Sequence, residues 1–255
     1  MSDLDETLAR LGSAPRLLVA LDFDGTLAPL VDEPMSARAT PDAARAVAAL
    51  ADTPGTTVAL VSGRTLADLR VIAEHRDDSP IWLVGSHGAE RWRPGQEDAA
   101  PGEGAAAGGS ARLADDAERA VTGIDGAWIE NKAFGFALHT RLADPAGEAR
   151  AQAAVDELME REAPGWRRRT GKHVVEFADR HEGKDVAIAE LRRETGASAV
   201  VFAGDDVTDE DALRSLEDGD LGIRVGDGET AARVRVGDTP ELAAVLTRLA
   251  QHRAS

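Results

Sequence analysis

Short apolar runs rich in β-forming residues alternate along this chain with segments in which apolar residues recur every three or four positions. The apolar runs occupy residues 17–21, 57–61, 81–84, 199–203 and 221–225 and predict buried strands. The helical spacing occupies residues 41–50, 65–75, 183–194 and 240–249. This alternation predicts an α/β fold with a doubly wound, Rossmann-like parallel sheet, and such sheets place ligands at the carboxyl ends of their strands.

The middle of the chain interrupts this pattern. Residues 93–110 are low in complexity and lack apolar periodicity, which predicts a flexible connector or a long surface loop. After it we expect a helix at about 111–122, a strand or hairpin at 128–141, a helix at about 146–162 and a strand at 173–178. The sequence therefore predicts a parallel core of residues 1–108 and 180–255, with a smaller α+β cap domain of residues 109–179 inserted into it.

Composition narrows the class of protein. The 255 residues are 43% hydrophobic, enough for a sizeable core with a second smaller unit, and the absence of cysteine excludes disulfides and thiolate chemistry. A net charge of -17 disfavours nucleic-acid and anionic-membrane partners, so an anionic substrate needs a local basic pocket. The acidic N-terminus and the lack of an apolar run of ~20 residues predict a soluble, cytoplasmic protein.

Two carboxylates follow the first predicted strand directly. Asp22 and Asp24 point to the same side if the strand continues, and Gly25 lets the backbone leave the sheet. Two acids that converge at a strand end suggest a cation and a reaction. The alternative is that they only cap a turn or the next helix, as Asp-Gly sequences often do.

Three further segments offer polar groups at the ends of apolar strands or near a helix start. Ser62 in Val-Ser-Gly-Arg suits a phosphate oxygen, although a plain Ser-Gly turn is the favoured interpretation of this segment when it is taken alone. Lys184 lies where the helix dipole disfavours a cation, so it needs an anion nearby unless it is a solvated surface lysine. Five acids between Asp205 and Asp211 exceed what helix capping explains.

These groups together solve one chemical problem. A carboxylate that attacks a phosphate dianion meets a repulsion of ~4 kcal/mol per pair of unit charges at 4 Å and an effective dielectric of 20. A lysine and a divalent cation remove that barrier, and a cation bound by oxygens with open positions is typical of magnesium.

The order Asp22-x-Asp24-Gly25-Thr26, Ser62, Lys184 and Gly204-Asp205-Asp206-x-x-x-x-Asp211 resembles the haloacid dehalogenase superfamily of phosphotransferases. The chain is similar, more narrowly, to the trehalose-6-phosphate phosphatase family over roughly residues 15–245. The narrower resemblance is carried by four kinds of segment: Ser62-Gly63-Arg64, residues 85–90 (Gly-Ser-His-Gly-Ala-Glu), residues 204–211, and in the cap residues 130–132, 139–141 and 171–176.

The resemblance implies roles for the core residues. Asp22 is implied as the nucleophile that forms an aspartyl phosphate, and Asp24 as the acid that protonates the leaving sugar oxygen and then the base that deprotonates water. Ser62 and Lys184 are implied to hold the phosphoryl oxygens. Magnesium is implied between Asp22, the backbone carbonyl of Asp24 and Asp205, with Asp209 ordering its waters.

The resemblance also implies a set of substrate-binding residues. In the core these are Gly25, Thr26, Gly63, Arg64 and His87, although a structural role for His87 is equally open. In the cap they are Glu130, Lys132, Arg141, Lys172 and Glu176, which would give the sugar specificity. From the residues alone, ordinary surface charge is the favoured interpretation of the cap side chains.

The chain departs from the family pattern mainly in the cap. The family usually has serine where Gly135 stands and tyrosine where Thr140 stands, and the segment before Lys184 also differs. The resemblance as a whole implies a magnesium-dependent trehalose-6-phosphate phosphatase in trehalose biosynthesis, acting after a trehalose-6-phosphate synthase. The departures in the cap leave other substrates open. The alternatives are a phosphatase for sucrose phosphate or for a glucosyl or mannosyl phosphoglycerate, or a phosphohexomutase. A receiver-type signalling domain is disfavoured because its phosphorylated aspartate would lie at the third strand.

Overall fold

The computed structural model describes residues 3–95, 107–132, 135–171, 173–178 and 183–254. The chain divides into two compact units. The large unit comprises Met1–Pro101 and Glu182–Ser255, and the small unit comprises Gly102–His181.

The large unit contains strands and helices in alternating order along most of its length. Its helices are α1 (Asp3–Gly12), α2 (Pro41–Ala51), α3 (Leu66–Ile72), α6 (Lys184–Thr195), α7 (Asp209–Ser215) and α8 (Thr239–Arg253), where α4 and α5 are the helices of the small unit defined below. Its strands are β1 (Leu17–Leu21), β2 (Thr56–Val61), β3 (Trp82–Gly85), β4 (Glu90–Trp92), β9 (Ala199–Gly204), β10 (Leu221–Val225) and β11 (Val234–Val236).

These strands form a seven-stranded sheet in the order β11-β10-β9-β1-β2-β3-β4. All neighbours are parallel except β3 and β4, which are antiparallel. Leu21 at the end of β1 lies opposite Leu60 of β2 and Ala203 of β9, so the carboxyl ends of these three strands meet at one edge. The predicted doubly wound α/β fold is confirmed.

Both faces of this sheet are buried, which explains why the strands are continuous apolar runs. Leu17, Val19 and Leu21 pack into a core that also contains apolar residues of α1, α2 and α8. Leu18 and Ala20 point to the opposite face and pack with residues of α6 and α7. Because side chains alternate along a strand, the central strand contributes to two hydrophobic cores.

The small unit is an antiparallel sheet with helices. Its elements are α4 (Ala107–Val121), β5 (Trp128–Lys132), β6 (Gly135–His139), α5 (Pro145–Glu162), β7 (Arg167–Gly171) and β8 (Val174–Ala178), and its sheet order is β5-β6-β8-β7. One face of the sheet supplies apolar residues such as Phe136 and Phe177 to a core shared with Leu113 of α4 and Val155 of α5. The small unit thus has a hydrophobic core of its own.

Several element boundaries differ from the sequence-based expectation. Helix α3 ends at Ile72 instead of residue 75, since Glu74 adopts a left-handed backbone conformation with φ 50°. Helix α4 begins at Ala107, so residues 107–110 are helical and the expected loop was wrong there. Residues 96–106 of the predicted connector lie outside the described residues. In the part of the chain that the structure describes, every helix falls short of the length and apolar character that a membrane span requires.

Candidate active site

The carboxyl edge of the parallel sheet brings together a lysine and two aspartates in its interior. Asp22 follows β1, Asp209 begins α7 and Lys184 begins α6. The Nζ of Lys184 donates to Oδ1 of Asp22 at 2.7 Å and to Oδ1 of Asp209 at 2.6 Å. The lysine side chain is only 3% exposed, so these two carboxylates supply the anions that its position at a helix N-terminus requires.

A third carboxylate makes the site strongly electronegative. Burial and the nearby charge of Asp209 raise the pKa of Asp205 to about 6. Burial raises the pKa of Asp22 well above its ordinary value, against the attraction of Lys184, and Asp209 and Asp205 add to the rise. Burial alone would lower the pKa of Lys184, but the charges of Asp209 and Asp22 outweigh it and raise that pKa. The site therefore has more negative charge than one lysine compensates.

This electronegative cluster has the chemistry of a site for a hard cation. Asp22, Asp205 and Asp209 each place a carboxylate oxygen within 4.8 Å of the others. The hydroxyl of Thr26 lies 3.3 Å from Oδ2 of Asp22 and 3.4 Å from Oδ1 of Asp205, so it bridges two of the three acids. Oxygen donors with this excess of negative charge fit Mg²⁺, which prefers carboxylate ligands.

Backbone hydrogen bonds hold the segment between β9 and α7, residues 205–208, in this position. This segment is called the acidic loop. Oδ2 of Asp209 accepts the backbone N–H groups of Asp205 at 3.1 Å and of Asp206 at 3.0 Å. A side chain at Gly204 would overlap the Asp209 carboxylate, and one at Gly25 would overlap that of Asp205. The glycines of both sequence motifs therefore admit the carboxylates to the edge of the sheet.

Asp24 lies in a different environment from Asp22. Nε and Nη2 of Arg64 donate to its two carboxylate oxygens at 2.6 and 2.7 Å, which is a bidentate ion pair. The hydrogen bond to Asp24 is the main cause that raises the pKa of Arg64. The backbone N–H of Arg64 also donates to Oγ of the buried Ser62 at 3.1 Å. One arginine thus contacts two of the predicted catalytic residues.

The turn after β3 supports this segment. Ser86 and His87 both have left-handed backbone conformations, with φ 49° and 55°, and the His87 ring lies against Gly63, where a Cβ would be 2.6 Å from Cε1. Glu90 accepts the Ser86 hydroxyl at 2.5 Å and the backbone N–H of Leu66 at 3.1 Å. Sequence reasoning named His87 but missed the supporting role of Glu90, because its partner is the start of a helix far away in sequence.

Sequence reasoning also missed a buried ion pair beneath the acidic loop. Nη1 of Arg224, which belongs to β10, donates to the backbone carbonyl of Asp206 at 2.9 Å and lies 3.4 Å from Oε1 of Glu210. Oε2 of Glu210 accepts the backbone N–H of Ala231 at 2.9 Å. The signal in the sequence is an arginine within the otherwise apolar run Leu-Gly-Ile-Arg-Val.

The small unit places part of the predicted sugar-binding set on one face of its sheet. Glu130 of β5 and Glu176 of β8 both lie opposite Ala137 of β6, and directly opposed residues share a face. Glu130 accepts from Nε2 of His139 at 2.7 Å. Arg141 stacks over the Trp128 ring, 5.2 Å from its centroid. Lys132 lies in β5, and Lys172 lies outside the described residues.

Two departures from the family pattern have structural explanations. A Cβ at residue 135 would overlap the backbone carbonyl of Phe177 on the neighbouring strand, so this sheet admits only glycine there. Thr140 is fully buried, and its hydroxyl donates to Oε1 of Glu148 at 3.0 Å. Both residues are therefore part of the packing of the small unit.

The parallel sheet with its aspartate, lysine and acidic loop defines a haloacid dehalogenase fold. The sequence profile of the trehalose-phosphatase family matches residues 20–240. The trehalose-phosphate phosphatases of Mycobacterium avium and Mycobacterium ulcerans are 36% and 33% identical to the chain over alignments of 250 and 270 positions, and these alignments cover 90% and 98% of the chain. The chain belongs to the trehalose-phosphatase family. It spans 60% and 67% of the lengths of these two relatives.

Solved structures agree with this assignment. A trehalose-6-phosphate phosphatase from Aspergillus fumigatus superposes with a TM-score of 0.77 at 25% identity, covering 98% of both chains. The C-terminal domain of the Candida albicans enzyme gives a TM-score of 0.78 at 22% identity over 98% of this chain and 97% of that one. The second likeness concerns the fold alone.

Proposed function

We propose that this protein hydrolyses trehalose 6-phosphate to trehalose and phosphate in a magnesium-dependent reaction through an aspartyl phosphate. The observation that carries the proposal is the buried contact of Lys184 with Asp22 and Asp209 at the carboxyl edge of the sheet. Family membership adds support. A trehalose-6-phosphate synthase would supply the substrate. The cytoplasmic location stays a prediction from the sequence.

Asp22 is the proposed nucleophile. Its carboxylate oxygen attacks the phosphorus, the bond between phosphorus and the sugar oxygen breaks, and Asp24 protonates the departing oxygen. Water then attacks the phosphorus of the aspartyl phosphate, Asp24 accepts its proton, and the Asp22 carboxylate is regenerated. Ser62 and Lys184 hold the phosphoryl oxygens. Gly25, Thr26 and Gly63 are further proposed substrate-binding residues.

Magnesium is the proposed cofactor. The carboxylates of Asp22 and Asp205 and the backbone carbonyl of Asp24 would hold it, and Asp209 would order its waters. When bound, it supplies positive charge that reduces the repulsion between the nucleophile and the phosphate. Lys184 also reduces this repulsion, because its ammonium group lies 2.7 Å from the carboxylate of the nucleophile.

Sugar specificity is proposed to reside in a cap domain of residues 109–179. One face of its sheet carries Glu130 and Glu176 on either side of the small, buried Ala137, and the two carboxylates are the proposed acceptors for sugar hydroxyls. Lys132, Arg141 and Lys172 are the proposed donors of the small unit, and His87 is a proposed substrate-binding residue of the large unit.

A panel of sugar phosphates tests the proposal. Phosphate release with magnesium would be measured for trehalose 6-phosphate, sucrose phosphate, and glucosyl and mannosyl phosphoglycerates, together with isomerisation of hexose phosphates. We expect kcat/KM for trehalose 6-phosphate to exceed the others by at least ~10-fold, about 1.4 kcal/mol of transition-state stabilisation. A smaller preference would overturn the substrate assignment. Phosphate release by Asp22→Asn, with its fold intact, would overturn the nucleophile.

A further inference from the structure

The ion pair between Arg64 and Asp24 joins one edge of the guanidinium to both carboxylate oxygens. Nε and Nη2 both donate to the Asp24 carboxylate, and Nη1 lies 4.0 Å from Sδ of Met35. The two side chains are 19% and 26% exposed, so the pair is largely shielded from water. The Nε–Nη2 edge of the guanidinium is therefore occupied by the Asp24 carboxylate.

We propose that Arg64 is a positioning residue that orients the carboxyl group of Asp24, whose proton passes to the leaving sugar oxygen in the first step and is replaced by a proton from water in the second. This inference rests on the proposed function and replaces the substrate-binding role that the resemblance implies for Arg64. A bidentate pair fixes the plane of a carboxylate as well as its distance, and a lysine cannot reproduce that geometry. General acid catalysis depends on such placement, since the proton must lie within hydrogen-bond reach of the leaving oxygen.

Hydrogen bonds to both the backbone N–H and the backbone carbonyl of Arg64 fix the position from which its side chain extends. Its N–H donates to Oγ of Ser62 at 3.1 Å, and its carbonyl accepts the backbone N–H of Ser86 at 2.6 Å. Thr65 then caps α3 through the backbone N–H of Asp68. A substitution of the Arg64 side chain leaves these backbone contacts in place and removes only the ion pair with Asp24 and the 4.0 Å contact with Met35.

This role predicts an effect that depends on the leaving group. An alkoxide leaving group such as a sugar oxygen needs a proton, whereas p-nitrophenolate leaves without one. If Arg64 orients the acid, its loss should slow transfer from trehalose 6-phosphate far more than transfer from p-nitrophenyl phosphate. If Arg64 binds the sugar, its loss should instead raise KM for the sugar phosphate.

The experiment compares Arg64→Met and Arg64→Lys with the wild type in magnesium. Single-turnover rates of aspartyl phosphate formation are measured with both substrates, together with steady-state kcat and KM. For Arg64→Met we expect kcat on trehalose 6-phosphate to fall by about 100-fold or more with KM changed less than ~3-fold. The single-turnover loss with p-nitrophenyl phosphate should be at least ~10-fold smaller. Arg64→Lys should recover little of the loss, and it provides the same comparison if Arg64→Met does not fold.

Arg45→Met is the matched control, since Arg45 also pairs with an aspartate but lies exposed on α2. It should leave both rates unchanged. In the Asp24→Asn background, Arg64→Met should change the single-turnover rate by less than ~3-fold, because the partner through which it acts is already lost. Equal losses with the two substrates in an active enzyme, or a rise in KM alone, would overturn the positioning role while leaving the proposed function intact. A wild type that releases phosphate from neither substrate would overturn both.

Discussion

Nζ of Lys184 lies 2.7 Å from Oδ1 of Asp22, although 162 positions separate the two residues in the sequence. Both side chains are at least nine-tenths buried. An isolated buried charge is very unfavourable, so each of these groups depends on the other and on the second contact of Lys184, to Asp209. The centre of the proposed active site is therefore also a determinant of local stability.

Removal of the lysine charge should affect both activity and stability. Lys184→Met leaves the buried carboxylates of Asp22 and Asp209 facing each other, and we expect a loss of about 3–5 kcal/mol in unfolding free energy. Phosphate release should fall at least ~100-fold, because one fixed cation near the transferred phosphoryl group is lost.

Magnesium should raise the thermal midpoint of Lys184→Met more than that of the wild type, since a bound cation replaces part of the missing charge. Calorimetry with and without magnesium measures this difference. Equal shifts in the two proteins would contradict the view that Lys184 and a cation neutralise the same carboxylates. Lys184→Arg is the control, because it keeps the positive charge but changes the shape of the side chain. It therefore separates the effect of losing the charge from the effect of altered packing.

The buried ion pair between Glu210 and Arg224 should stabilise the acidic loop. Their side chains are only 5% and 9% exposed, and the arginine also donates to the carbonyl of Asp206. Arg224→Met leaves Glu210 buried without its cation, so we expect a loss of about 3–5 kcal/mol in urea unfolding. The double variant Arg224→Met/Glu210→Gln should lose less than Arg224→Met, because it removes the uncompensated charge. Arg233→Met, which breaks the exposed pair with Asp218, should cost less than ~1 kcal/mol.

The core strands and the polar groups at their ends could be predicted because the sequence signals for them are local. A continuous apolar run such as residues 17–21 implies a buried parallel strand, and the acids that follow it cannot be explained by packing. Short or polar elements lack such a signal. Strand β7 has the sequence Arg-Arg-Arg-Thr-Gly and is a strand only because it pairs with β8 along its whole length.

The partners of the site residues could not be predicted, because they depend on sheet register and on distant loops. Asp24 and Arg64 are 40 positions apart, and each residue type suggests reaction chemistry or substrate binding when taken alone. Their pairing follows from the adjacency of β1 and β2, where Leu21 lies opposite Leu60. Glu90 likewise matches a family motif, but its contacts with Ser86 and Leu66 become visible only in three dimensions.

His75 should make stability depend on pH. Burial lowers its pKa from the ordinary value of 6.5, while Nε2 donates to the carbonyl of Ile81 at 2.9 Å. The neutral ring is therefore favoured in the folded state. This contribution to stability is complete above the unfolded pKa of 6.5 and is lost as the pH falls through the folded pKa.

The measurement compares the wild type with His75→Gln in urea unfolding from about pH 7.5 down to about pH 5. We expect the difference, wild type minus variant, to decrease as the pH falls. Ser79→Ala alters the same loop without an ionisable group, since the Ser79 hydroxyl accepts from the backbone N–H of Ile81. Its difference from the wild type should not change with pH. A difference for His75→Gln that grows towards low pH would contradict the buried neutral ring.

Gly25 should be irreplaceable for two separable reasons. Its backbone has φ +73°, which L side chains rarely adopt, and a Cβ there would overlap the carboxylate of Asp205. Gly226 has φ +76° and nothing within 4 Å of its Cβ position, so Gly226→Ala reports the backbone strain alone, about 1 kcal/mol. Gly25→Ala should lower the unfolding free energy in urea by more than Gly226→Ala does, because Asp205 must also move.

Displacement of Asp205 should weaken magnesium binding, and titration calorimetry should show at least a ~10-fold loss in affinity. Gly226→Ala should bind magnesium like the wild type. Equal magnesium affinities for the two variants would mean that Asp205 does not hold the cation, since Gly25→Ala changes the one contact that Gly226→Ala leaves alone.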